Sequence, residues 1–253
     1  MNRAAIDLAI LGPALLAGLL VVATHVPLGR RVLARGIIFL DLALAQIAGL
    51  GLIAAYSFDW EPGGWQVQAV ALGSALLGAL LLHFTERRWP EIQEALIGTL
   101  FVLASSGGIL LLAGNPHGGE HLRELLVGQI LWVGYQQLLP VALVYAVVLA
   151  AGYALRSHTS SLPFYLLFAL SITASVQLVG VYLVFATLII PALAIRRYHG
   201  GALLWGYAIG IAGYAVGLLL AALLDLPAGA MVVYSLAGTA LLFHTLRRAP
   251  LSG

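Results

Sequence analysis

Eight stretches of the chain are almost free of charge: residues 8–26, 36–58, 65–84, 95–114, 138–155, 162–195, 202–224 and 228–246. Apolar side chains occupy every face of them, without the period-two alternation of a half-buried strand. Each therefore predicts a helix and argues against a β-barrel. A hydrocarbon layer about 30 Å thick takes about 20 apolar residues per helical crossing, so the pattern predicts an all-α polytopic membrane bundle of about 8–9 transmembrane helices. The first stretch opens on the weak charges Arg3 and Asp7, with no small-residue cleavage site ahead of the following arginines, and reads as a retained span. No Pro-, Gly- or Ser-rich linker and no charge run marks a second domain, so 1–253 reads as one transmembrane domain.

The stretch 162–195 fits neither one crossing nor two. Its 34 residues would make a straight helix of about 51 Å, whereas two full crossings need about 40 residues. Gly180, just after Gln177, is the expected break, giving two short helices that meet inside the protein, where neighbours satisfy the freed backbone groups. Residues 121–139, with Leu125, Leu126, Ile130, Trp132 and Val133, read as a short amphipathic or re-entrant piece. At Pro191 the second short helix is expected to be disrupted, and the chain then to emerge with Arg196, Arg197 and Tyr198. That basic end suits docking to a cytoplasmic partner, and equally a span end with interfacial anchors.

Composition sharpens this picture. The chain has 62% hydrophobic and 9% charged residues, against roughly 25% charged in soluble domains, which excludes a water-soluble fold. All 12 basic residues are arginine and there is no cysteine. A Walker A lysine, a lysine Schiff base, a disulfide and a cysteine nucleophile are thereby excluded. The net charge of +2 carries topological information rather than a nucleic-acid partner. Arg30, Arg31 and Arg35, then Arg87 and Arg88, Arg156, Arg196 and Arg197, and Arg247 and Arg248 form five clusters. The positive-inside rule places them in the cytoplasm, with Asp59, Glu61, His117, Glu120, His121, Arg123 and Asp225 outside. All clusters fit if 162–195 goes out and returns, with the N-terminus outside and the C-terminus inside.

Few polar groups interrupt the spans. Asp41, placed five residues into the second, is costly there unless it faces a cavity or a partner. It is a pathway group, or an interfacial acid paired with Arg35 or another arginine. Gln46 stands roughly 140° further round the helix, so the two do not make a bidentate site. Ser105, Ser106, Gly107 and Gly108 read as a small-residue helix contact. Ser171, Thr173, Ser175, Gln177 and Thr187 serve either as interhelical hydrogen-bond glue or as pathway lining. His117 and His121, flanking Glu120 in an outer loop, offer imidazole and carboxylate for a loose transition-metal site, or are chance residues of a solvated loop. No nucleophile–base pair is evident, which disfavours a membrane enzyme; a self-contained ion- or proton-coupled transporter using Asp41 is the alternative to a multi-subunit permease.

Four segments, in order, resemble the permease subunits of zinc, manganese and iron ABC importers. Residues 177–192 (QLVGVYLVFATLIIPA) are similar to that family's V-G-x-L-L-V-x-A-L-L-I-I-P-A stretch. Residues 225–230 (DLPAGA) resemble its D-x-P-x-G-A/P turn, 36–40 with 43–45 its G-x-x-F region, and 126–131 its L-x-G-x-I-L element. The resemblance implies a homodimeric permease in the bacterial inner membrane that is no enzyme itself. It implies no cofactor on this chain, a separate cytoplasmic ATP-binding subunit, and an extracytoplasmic metal-binding protein that delivers a divalent metal, zinc first. It assigns ATPase coupling to Pro191, Ala192, Arg196, Arg197 and Tyr198. The family's second span usually carries an Asp and a His four residues apart; Leu42 and Gln46 stand at those positions here, with the acid displaced to Asp41. Asp41, Gln46, Gln177, His117 and His121 are carried forward as metal or pathway residues.

Overall fold

Long runs of Leu, Ala, Val and Ile can close their backbone hydrogen bonds without water only as helices, and the chain does so almost throughout. The structure is a computed structural model and describes residues 8–56, 60, 64–113, 125–155, 160–198 and 200–248. Its principal helices are α1 (Leu8–Arg35), α2 (Leu40–Tyr56), α3 (Trp65–Arg88), α4 (Gln93–Leu112) and α5 (Tyr135–Ala154). They continue with α6 (Leu162–Val179), α7 (Val181–Ile195), α8 (Ala202–Leu224) and α9 (Ala228–Arg248). Short 3-10 turns occupy Pro90–Ile92 and Ile130–Trp132, and no strand occurs among the described residues. All but α2 and α7, of 17 and 15 residues, contain a segment long and apolar enough to cross a membrane. The chain is an all-α polytopic bundle.

Two expectations are corrected, the extent of the first span and the effect of Pro191. The first span does not stop at residue 26: α1 runs through Pro27 to Arg35. Pro27 leaves the carbonyl of Ala23 without its helical donor, and the Tyr207 hydroxyl of α8 donates to that oxygen at 3.4 Å. Likewise Pro191 does not disrupt α7, which continues to Ile195, so the proline is an interior helix residue. Among the remaining stretches, 202–224 coincides with α8, and Asp41, expected five residues into its span, is the second residue of α2.

The chain divides into two compact units. The first holds Met1–Arg35, Val127–Ala142 and Leu178–Gly253. There α1 packs on α7 and α8, and α9 on α7 and α8. Absent side chains permit the close approach: a Cβ at Gly206 or Gly210 of α8 would lie 2.7 or 2.8 Å from Val26 or Val22 of α1. At Gly217 it would lie 2.5 Å from the Cα of Val232 in α9. Thr187 and Tyr214, both fully buried, join α7 to α8 through hydroxyls 2.9 Å apart.

The second unit holds Gly36–Leu126 and Leu143–Gln177. In it α2 packs against both α3 and α4, and Gly107 and Gly108 of α4 face Leu50 and Ile53 of α2, a helix contact of small residues. Buried Gln93 ties three elements together: its amide donates to Leu82 O at 2.9 Å and to the Tyr165 hydroxyl at 3.3 Å, while its oxygen accepts from Thr85 at 2.9 Å. Tyr145 of α5 hydrogen-bonds Ser175 of α6, whose hydroxyl in turn meets Ser171 O at 2.6 Å. These hydroxyls and amides act as helix glue.

Candidate functional site

The helix break lies where the length of 162–195 required it. α6 ends at Val179, α7 begins at Val181, and Gly180 between them has φ 83° and ψ 160°. Within the first unit its backbone rests on a second glycine, Gly128, at φ 67°. A Cβ on Gly180 would lie 2.6 Å from the Cα of Gly128 and 2.6 Å from the carbonyl carbon of Val127. One on Gly128 would overlap Val179 O. The stretch 121–139 is expected to be a short amphipathic or re-entrant piece; its described part is irregular at 128–134, with the 3-10 turn Ile130–Trp132. The length of 162–195 announced Gly180, but no local signal paired it with Gly128.

Beyond α7 lies the basic turn. Arg196 and Arg197 are exposed, whereas Pro191 and Ala192 are buried within α7. The turn is closed by Arg196 N–H to Leu193 O at 3.4 Å and Tyr198 N–H to Ile195 O at 3.0 Å. Tyr198 packs against Phe243 of α9 with ring centroids 5.2 Å apart, and Trp205 of α8 packs on the same ring at 5.4 Å. Of the five residues assigned to coupling, the arginines alone project outward as charges, with Tyr198 anchoring them.

In the second unit Asp41 is 1% exposed. Its Oδ1 accepts from Leu42 N–H at 2.8 Å, so the carboxylate serves the N-terminus of its own helix. Glu94 of α4 reaches the same end, its Oε1 accepting from Phe39 N–H at 3.3 Å. Sequence reasoning misses Glu94, because the apolar stretch begins one residue later, at Ala95. Leu42 and Gln46, one turn apart, are both half-buried, while Asp41 is buried off their shared direction. The displacement of the acid by one residue thus takes it off the face where Leu42 and Gln46 stand. Gln177 is exposed at the end of α6. His117 and His121 lie outside the described residues. Among those described, no three His, Asp or Glu side chains gather to hold a metal ion.

A family model described as the ABC 3 transport family matches residues 7–156 and 149–247. The chain belongs to the ABC 3 transport family. As a member it is the permease subunit of an ABC transporter. It is 24% identical over 201 residues to a Chlamydia trachomatis protein described as a probable metal transport system membrane protein, covering 71% of this chain and 69% of that one. An uncharacterised membrane protein of Synechocystis is 27% identical over 204 residues, 73% of this chain and 71% of its own. The fold matches PsaBC from Streptococcus pneumoniae, solved in complex with Fab, with a TM-score of 0.76 at 19% identity over 96% of this chain and 95% of that one. A chain from an inward-facing ABC transporter of metal-chelate type gives 0.64 at 18% identity, covering 93% and 84%.

Proposed function

We propose that this chain is the membrane subunit of an ABC importer for a divalent transition metal, zinc first, with manganese and iron as further candidates. The observation that carries the coupling half of this reading is the exposed Arg196–Arg197 pair at the end of α7, on a turn held by Tyr198. A cytoplasmic ATP-binding subunit docks there and closes on ATP, which agrees with a chain that has no lysine. An extracytoplasmic metal-binding protein delivers the cargo, the His117 and His121 loop offers it a first contact, and the pathway passes Gln46, Gln177 and the region of Asp41. Two copies of this single membrane domain assemble in the bacterial cytoplasmic membrane, N-terminus outside and C-terminus inside. Alternating closure of the ATPases then shifts the pathway between outward- and inward-open forms. The metal assignment is supported by the resemblance to metal importers and by the Chlamydia relative's description.

Reversing both charges, Arg196→Glu with Arg197→Glu, tests the docking role. The expected result is loss of co-purification with the ATP-binding subunit and loss of uptake. Unchanged association and uptake would remove the coupling role from this turn. Competition among labelled Zn²⁺, Mn²⁺ and Fe²⁺ in the assembled transporter decides the cargo.

A further inference from the structure

Three helices of the second unit enclose an apolar groove. α2 packs on both α3 and α4, while α3 and α4 touch each other little. The small residues Gly51 and Ala54 of α2 and Ala104 of α4 form its floor, and Leu77 and Leu103, 69% and 62% exposed, form its rims. Its volume is about 630 Å³, and Ser74 is the only polar side chain among its lining residues. On α3 the lining runs through Val70, Ser74, Leu77 and Leu81, which make one stripe of the helix. Exposed Phe84 continues the stripe, and exposed Arg88 ends it, about five full turns from Val70 and on the same face. The Arg88 guanidinium stands 5.3 Å from the centre of the Trp89 ring, and Phe84 meets that ring edge-on at 6.4 Å. Of the neighbouring acids, Glu86 is turned about 160° away from Arg88 on α3, and Glu91 lies past Trp89 in the 3-10 turn.

Size and depth decide what fits. A helix about 10 Å across would take about 1,250 Å³ over the roughly 16 Å from Val70 to Leu81, twice the room present, whereas a lipid tail is thin enough. Along the axis Leu81 lies about 10 Å from Arg88 and Ser74 about 21 Å, and a lipid reaches about 20 Å from its headgroup to the bilayer midplane. We propose that the groove is a binding site for one anionic phospholipid, its phosphate paired with Arg88 and one acyl tail running past Phe84 into the slot between Leu81 and Ser74. Surrounding tails are as apolar as the groove, so filling it brings packing but no hydrophobic gain. Selection therefore comes from the guanidinium, whose planar fork matches phosphate oxygens. The tail closes the gap between α3 and α4 and supports α2 against both.

The test uses the full chain in phosphatidylcholine vesicles that contain a small fraction of either phosphatidylglycerol or phosphatidylcholine with a photoreactive diazirine near the tail end. After illumination, peptide mass spectrometry locates the cross-linked residues. The expected result is labelling within 74–81 and 100–104 that is several-fold higher from phosphatidylglycerol, with no such preference at the exposed Leu143 and Val147 of α5. Arg88→Gln brings groove labelling by phosphatidylglycerol down to the phosphatidylcholine level. Ala54→Phe, which fills the floor, lowers groove labelling by both lipids; should that variant misfold, Ser74→Leu gives the same loss. Equal groove labelling by the two lipids in the wild type overturns the site, as does the same preference at Leu143 and Val147, or a preference that survives Arg88→Gln. A groove shielded from both lipids, in which chemical cross-linking instead joins two copies of the chain, overturns it as well.

Discussion

Adding one methyl group at Gly180 should cost this protein far more than the same change at the open helix positions Gly73 and Gly98. The backbone there, at φ 83° and ψ 160°, lies in a region essentially reserved for glycine, where a side chain adds strain of about 1–3 kcal/mol. The new Cβ would also stand 2.6 Å from Gly128 Cα and 2.6 Å from Val127 C. Carbon atoms in contact settle at about 3.5–4 Å, so two backbone segments must separate by about 1 Å. Overpacking of that kind costs about 1–3 kcal/mol. Partial relaxation leaves about 3 kcal/mol for Gly180→Ala, or about 6–12 °C in thermal midpoint for a chain of this size. Tryptophan fluorescence of the purified protein during heating measures it. Gly73→Ala and Gly98→Ala are the controls: both are interior to helices with nothing within 4 Å of the added carbon, and each should be neutral or stabilise by up to about 1 kcal/mol. A Gly180→Ala midpoint within about 2 °C of wild type would refute the reasoning.

Tyr207→Phe removes the hydroxyl that supplies Ala23 O above Pro27, lowering stability by about 0.5–1 kcal/mol; Pro27→Ala restores the helical donor and should abolish that cost in the double variant, as read from thermal midpoints. Gln93→Leu strips the amide from Leu82 O, Tyr165 and Thr85, and should cost about 1–3 kcal/mol by leaving buried groups unpaired; a midpoint equal to wild type would contradict the bridging role. Asp41→Asn keeps an acceptor for Leu42 N–H and should leave ATP-dependent uptake largely intact. Complete loss of uptake in a folded Asp41→Asn protein would instead favour a carboxylate acting directly on the cargo or on protons.

Much of the bundle was legible because membrane burial imposes a length rule on apolar runs. The limits of α8 were readable from a charge-free run ending at Asp225 and preceded by Gly201, both in left-handed conformation. Gly180 was readable because 162–195 could be neither one helix nor two crossings. Proline misled at Pro191, which sits inside α7 rather than disrupting it. Sites suffered from distance along the chain. Nothing near Phe243 signals that Tyr198 and Trp205 converge on it, and Glu94 becomes visible as a cap on α2 only once α4 lies beside it. Arg196 and Arg197 were legible as exposed charges because charge after an apolar helix must face water.

Reconstituting the chain into liposomes, with and without the ATP-binding subunit and the metal-binding protein, tests the central claim most directly. The measurement is accumulation of labelled Zn²⁺, Mn²⁺ or Fe²⁺. The account predicts uptake only when the ATP-binding subunit, ATP and the metal-loaded binding protein are all present. Accumulation by the chain alone, driven by an ion or proton gradient, would contradict it.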